Sequence, residues 1–230
     1  MTKTTLIYVW SVVAVGTAII AASGLLWQGT NGPAFWLCLG LAALASTFKV
    51  KLPGFDSSIS PAFVFQLVAA AQFSGPETVA IGVVSALVQS LWKRENRPAF
   101  MQVAFNAATL AISSGIAFDL AQETQGETGA GEHTLMLGIA GLVLLVVNTL
   151  MVSTVLCLLQ STPIRAAWRS IQLWALPYYL AGGVLASVWV HAAKEPSLYL
   201  SVLAAMSVYV LSVCYRQGVE RVSVLVPARG

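Results

Sequence analysis

The sequence predicts an all-α, polytopic membrane helix bundle, and three observations lead to this prediction. Of its 230 residues, 57% are hydrophobic and 9% are charged, whereas about 25% of a typical soluble domain is charged. The mean hydropathy is +0.79. The apolar residues occur in long runs that short polar loops separate. We therefore expect a single integral membrane domain over residues 1–230.

Eight apolar segments follow one another along the chain. The first is too long for the core of a secretory signal peptide, so it is predicted to be a retained helix. Turn-forming groups such as Asn31-Gly32-Pro33 and Ser161-Thr162-Pro163 mark the boundaries. The segments are residues 6–27, 33–48, 61–73, 77–92, 99–121, 134–160, 171–191 and 197–215.

The third and fourth segments are shorter than the roughly 20 residues that a full membrane span needs. Pro61 and Pro76 bound them, and a proline ends or kinks a helix. Short segments are tolerated in a membrane where other helices enclose them, and there they often line a cavity. We therefore predict six spans around a pair of short helices, with a candidate pocket near the pair.

Lysine and arginine positions predict the orientation. If the N-terminus is cytoplasmic, 11 of the 12 basic side chains fall on the cytoplasmic side, and Lys194 alone falls outside. This asymmetry follows the positive-inside rule. Both termini are therefore predicted to be cytoplasmic, and the loop at residues 122–133 is predicted to be external.

Several classes of function lack the residues that they would need. The formal net charge of +3 is small and its basic residues are scattered, so nucleic acid is not an expected partner. No H-E-x-x-H, G-x-S-x-G or paired intramembrane aspartate motif is present, so an enzyme is not expected. No charged residue lies deep in a segment, which argues against a proton-driven pump. The isolated cysteines Cys38, Cys157 and Cys214 predict no disulfide, metal site or cofactor.

The candidate site residues are neutral and polar. Pro177 is expected to kink its helix just before Tyr178 and Tyr179, while Asn106 and Asn148 lie at moderate depth on other segments. Such residues either join helices by hydrogen bonds or bind a ligand within an apolar pocket. The predicted ligand-binding set is Gln66, Asn106, Asn148, Tyr178 and Tyr179. Without a buried charge, the expected ligand is small and neutral or zwitterionic.

Small residues repeat on two segments at helical spacing. On the first, Ala14, Ala18 and Ala22 recur every fourth residue, and the fifth carries Ala107, Ala111 and Gly115. Such faces let membrane helices approach closely. The pattern indicates packing, either within the bundle or with a partner.

The central block resembles the vitamin uptake-like sensor domain, a membrane input module of bacterial signalling proteins. That module is similar to the substrate-binding S components of energy-coupling-factor transporters. The resembling residues are Leu52-Pro53-Gly54, Ser58-Ile59-Ser60-Pro61, Gly75-Pro76-Glu77-Thr78-Val79-Ala80 and Phe105-Asn106, within roughly residues 40–215.

The resemblance implies a multi-pass receptor in the bacterial inner membrane that passes a signal to a cytoplasmic output domain. Only residues 216–230 follow Tyr215, which is too few for such a domain. Two alternatives stay open: an input module cut from a longer protein, or a chain that works through partners. In the second case it would resemble a stand-alone uptake component with separate transporter subunits.

Overall fold

The computed structural model describes residues 2–29, 32–51, 58–92, 99–123, 130–160, 163–192, 206–215 and 217. Within these residues it is a helical bundle with one pair of two-residue strands, β1 (Val50–Lys51) and β2 (Ser58–Ile59), which are antiparallel. The helices are α1 (Lys3–Leu25), α2 (Pro33–Ala45), α3 (Phe63–Gln72), α4 (Gly75–Leu91), α5 (Phe100–Glu123), α6 (Ala130–Gln160), α7 (Ile164–Ala192) and α8 (Met206–Tyr215).

The helical bundle predicted from the sequence is confirmed, with local corrections. The strand pair lies in what was expected to be a loop. Helix α7 begins seven residues before the predicted start at 171 and continues as a helix through Pro177. The first part of the eighth segment, 197–205, lies outside the described residues.

Helix α3 is the centre of the fold. All of residues 63–70 are buried, and the helix contacts α2, α4, α5, α6 and α7. A helix that is apolar on every side is stable only when other elements surround it. The prediction of a short, enclosed helix is therefore confirmed for α3.

Helix α4 is short as well, but one of its faces is open. Its first turn contains Pro76, and both the backbone N–H and the hydroxyl of Ser74 donate to Glu77 Oε2, at 2.9 and 2.8 Å. This arrangement caps the start of the helix. Leu87 and Leu91, which lie on the side of α4 away from its buried residues, are exposed. Helix α4 is therefore not enclosed as α3 is. Glu77 is 1% exposed, so this cap is buried.

Helices α1, α5 and α6 form a second packed layer. A Cβ on Gly16 of α1 would overlap Ala108 of α5, so these helices cross in direct backbone contact. The hydroxyls of Thr5 and Tyr8 donate to the carbonyl oxygens of Leu158 and Met151 on α6, each at 3.2 Å. Ala14, Ala18 and Ala22 are exposed, so the alanine repeat of α1 is not the face that packs inside.

Three helices are long and apolar enough to cross a membrane, judged by length and composition over the described residues. They are Lys3–Leu25, Phe100–Gln122 and Leu137–Leu159. The shorter apolar helical stretches have between 10 and 17 residues: Pro33–Ala45, Phe63–Gln72, Gly75–Leu91, the Ala175–Val190 part of α7 and Met206–Tyr215. The fold is thus compatible with a membrane protein in which long and short helices are combined.

Candidate functional site

The candidate site lies where α3 meets α6, α7 and α8, and an aromatic cluster marks it. The ring of Tyr179 stacks on that of Phe63, with centroids 4.0 Å apart and an interplanar angle of 19°. Tyr178 lies against Phe63 at 5.4 Å and against Tyr215 at 4.6 Å between ring centroids. The cluster therefore joins the first turn of α3, the middle of α7 and the end of α8.

A glycine makes this junction close. Gly182 follows Tyr178 by one helical turn, and a Cβ on it would overlap the ring of Phe63 and lie 3.0 Å from Cγ2 of Val64. The absence of a side chain lets the backbone of α7 lie directly on α3. This close approach places the two tyrosines over the start of α3.

Tyr178 and Ser212 carry a pair of buried hydroxyls at the α7–α8 contact. Tyr178 is 1% exposed and Ser212 is 5% exposed. The two hydroxyls lie close enough to interact with each other across this contact, and neither makes a hydrogen bond of good geometry to any other described residue.

Gln66 is the other buried polar side chain near the cluster. It follows Phe63 by three residues and so lies on the same side of α3, one turn further along. Its side chain is 2% exposed, and Oε1 accepts no hydrogen bond from the described part of the chain. α3 therefore presents a buried amide oxygen that could accept a hydrogen bond.

Asn148 and Tyr179, by contrast, are partners. The Asn148 side chain on α6 hydrogen-bonds the hydroxyl of Tyr179 on α7. Gln172 Nε2 donates to Thr149 Oγ1 at 3.0 Å between the same two helices. These bonds hold α7 in register with α6 and fix the position of the aromatic cluster.

Asn106 lies at a different contact. Its Nδ2 donates to Ser90 Oγ at 3.0 Å, which joins α5 to α4. The same contact contains Gly82, where a Cβ would overlap Ser114 Oγ. The structure thus places Gln66, Asn148, Tyr178 and Tyr179 on the helices that meet at the α3–α7 junction, and it gives Asn106 a partner elsewhere.

Sequence reasoning missed Phe63, Gly182, Ser212 and Tyr215. The pair Gly182-Gly183, one turn after two tyrosines, was a usable signal because adjacent glycines in a membrane helix often mark close packing. Ser212 and Tyr215 carried no such signal, because nothing in their apolar segment indicates that α8 returns to α7.

The described groups that meet at the junction are uncharged. The Arg and His residues of α7 nearest to the junction in sequence are Arg169 and His191. Arg169 precedes Tyr178 by nine residues, or about 13 Å along the helix axis. The available groups are hydroxyls, an amide oxygen and aromatic faces. Such a set can bind an uncharged molecule by a few directional hydrogen bonds within an apolar wall.

Comparisons of this chain with protein-family models, with curated proteins and with solved structures find no match.

Proposed function

We propose that this chain is a small-molecule receptor embedded in the bacterial inner membrane. It would bind a neutral or zwitterionic ligand at the α3–α7 junction and pass a signal to a cytoplasmic output domain or partner. The observation that carries the proposal is that Gln66 Oε1 on α3 is buried without a hydrogen-bond partner among the described residues, while the Tyr178 hydroxyl on the adjoining helix α7 is buried beside that of Ser212.

Polar side chains that do have hydrogen-bond partners on other helices provide a comparison for Gln66. Asn106 and Asn148 each bond a group on another helix, as expected of side chains that only join helices. Gln66 is more deeply buried than either asparagine, and its amide oxygen gains no such stabilisation from the described residues. A ligand that donates a hydrogen bond to this oxygen would satisfy it.

The orientation and the resemblance support the signalling part of the proposal. The distribution of basic residues favours cytoplasmic termini and a multi-pass topology. The block around Pro61, Pro76 and Asn106 resembles the vitamin uptake-like sensor domain, in which a membrane module controls a cytoplasmic domain.

Native mass spectrometry tests the proposal directly. Protein extracted from its own membranes in mild detergent should retain a small molecule that is neither lipid nor detergent. Gln66→Leu and Tyr178→Phe should each reduce the retained fraction by about tenfold, since each loses a hydrogen bond that is worth about 1–3 kcal/mol when its partner stays buried. Asn106→Ala is the control and should retain the small molecule as the wild type does, because Asn106 bonds Ser90 at a different contact. An unliganded wild-type spectrum, or equal retention in all variants, would refute the proposal.

A second candidate is a substrate-binding subunit of an uptake transporter. The observation that favours it is the exposed small-residue face Ala14, Ala18 and Ala22 on α1, since such a face permits close docking of another membrane helix. Co-purification should then recover a transmembrane subunit and an ATPase. Ala18→Leu should release that subunit while ligand retention stays unchanged, and its continued binding would exclude this face.

A further inference from the structure

The first turn of α1 lies against the last turns of α6. The hydroxyl of Thr5 donates to the carbonyl oxygen of Leu158 at 3.2 Å, and α6 ends shortly afterwards at Gln160. Lys3 is the first residue of α1 and is exposed. Lys3 is therefore at the end of the bundle where α6 stops.

The first turn of α7 is at the same end of the bundle. Helix α7 begins at Ile164, shortly after Gln160, and Gln172 Nε2 donates to Thr149 Oγ1 on α6. Two helices that touch and are joined by so short a connection run antiparallel. Arg165, which is exposed, is therefore a second cation beside the end of α6.

Exposed apolar side chains flank these two cations. Leu159 at the end of α6 is exposed, and so are Leu6 and Ile7 in the first two turns of α1. Trp168, in the second turn of α7, is 36% exposed, and an indole ring near the end of a membrane helix prefers the level of the lipid headgroups. This end of the bundle thus combines cationic groups with a surface on which acyl chains can pack.

The acidic residues of the described helices lie at the opposite end. The rings of Tyr8 and Phe105 are 6.2 Å apart between centroids, which brings the start of α5 beside the start of α1. Helix α4 ends there as well, because Asn106 near the start of α5 bonds Ser90 near the end of α4. The acidic residues are at the start of α4, the end of α5 and the start of α6: Glu77, Asp119, Glu123 and Glu132. Within the described helices, no carboxylate is therefore placed to neutralise the two cations.

We propose that the first turns of α1 and α7, around the end of α6, form an interaction surface for anionic phospholipids. The Lys3 ammonium and the Arg165 guanidinium bond the phosphate oxygens of the headgroups, as the two-donor fork of a guanidinium does especially well. The acyl chains pack on the exposed apolar side chains of the same three helices. This surface goes beyond the proposed receptor site and is independent of it, because it shares no residue with the α3–α7 junction.

Lys49 is a matched control at the same end of the bundle. Its Nζ donates to the carbonyl oxygen of Trp92 at the end of α4, at 2.8 Å. A lysine in this position bonds a terminal carbonyl of a helix and stabilises the helix end. Lys49 thus has a role within the fold, and the proposed surface does not include it.

Native mass spectrometry of the full chain in mild detergent tests the surface. Protein stripped of lipid is given equal amounts of dioleoyl phosphatidylglycerol and dioleoyl phosphatidylcholine, which have the same chains and differ in net charge. The wild type should bind more phosphatidylglycerol than phosphatidylcholine. The Lys3→Gln/Arg165→Gln variant should lower this ratio by about fivefold or more, since each Lys or Arg beside an anionic lipid surface contributes about fivefold in affinity.

Charge and position are separated by three further measurements. Lys3→Arg/Arg165→Lys retains both charges and should keep the wild-type ratio, and Lys49→Gln should keep it as well. An excess of glycerol 3-phosphate at constant ionic strength should leave phosphatidylglycerol bound, whereas its displacement would identify a site for free phosphate instead of lipid. Equal binding of the two lipids by the wild type, an unchanged ratio in the double Gln variant, or an equal loss in Lys49→Gln would overturn the proposal.

Discussion

Two adjacent glycines on α7 have opposite surroundings, and this contrast gives a residue-scale prediction. A Cβ on Gly182 would overlap Phe63, whereas a Cβ on Gly183 meets nothing within 4 Å. Gly182→Ala should lower the free energy of unfolding by about 1–3 kcal/mol, because a well-packed contact must open. Gly183→Ala should be neutral or should raise it by up to about 1 kcal/mol through helix propensity.

Titration of both variants with sodium dodecyl sulfate measures these changes. Equal destabilisation by the two substitutions would mean that α7 does not lie on α3 at Gly182. Phe63→Leu in the Gly182→Ala background is a useful addition, since a smaller side chain should recover part of the loss if the overlap is with Phe63.

Among the predicted site residues, Asn106 and Asn148 have hydrogen-bond partners on other helices, whereas the amide oxygen of Gln66 has none among the described residues. Asn106→Ala and Asn148→Ala should each lower the free energy of unfolding by about 0.6–2 kcal/mol, because each removes a hydrogen bond between helices. Gln66→Leu, measured on protein washed free of small molecules, should keep or raise it, because the lost amide oxygen had no described partner. A destabilised Gln66→Leu variant would show that Gln66 is structural.

At the scale of elements, the start of α4 depends on Glu77. Its carboxylate accepts two hydrogen bonds from Ser74, and it is buried. Glu77→Ala should lower the free energy of unfolding by about 1–3 kcal/mol, because the first turn loses its cap. Glu77→Gln retains an acceptor oxygen and should lose less. Thermal melts in detergent with equal losses for both would exclude the capping role.

Helix limits were largely readable from the sequence, but helix contacts were not. Gly and Pro groups end most helices close to where the apolar runs end. The start of α7 was missed because Arg165 and Arg169 make its first turns polar, and the strand pair was missed because Leu52-Pro53-Gly54 reads as a loop. The α3–α7 contact depends on which surfaces fit together at Gly182, and local periodicity carries no information on that fit.

For the whole molecule, the basic residues predict that both ends of the chain lie on the cytoplasmic side. A cysteine introduced as Gly129→Cys should react with an impermeant maleimide in intact cells, and one introduced as Lys3→Cys should react only after permeabilisation. The native cysteines are replaced by Ala in both chains. The reverse pattern would invert the topology and place the proposed signal output on the wrong side.

The enclosure of α3 has a consequence for the order of biogenesis. Its 10 residues cannot cross a bilayer, and its surroundings include α5, α6 and α7, which the ribosome makes later. Chains that end after Leu91 and are released from the ribosome should therefore leave α3 accessible to proteolysis, whereas released chains that extend through Ala192 should protect it. A bundle built around a short central helix therefore completes its core only after the later helices that enclose this helix have been made.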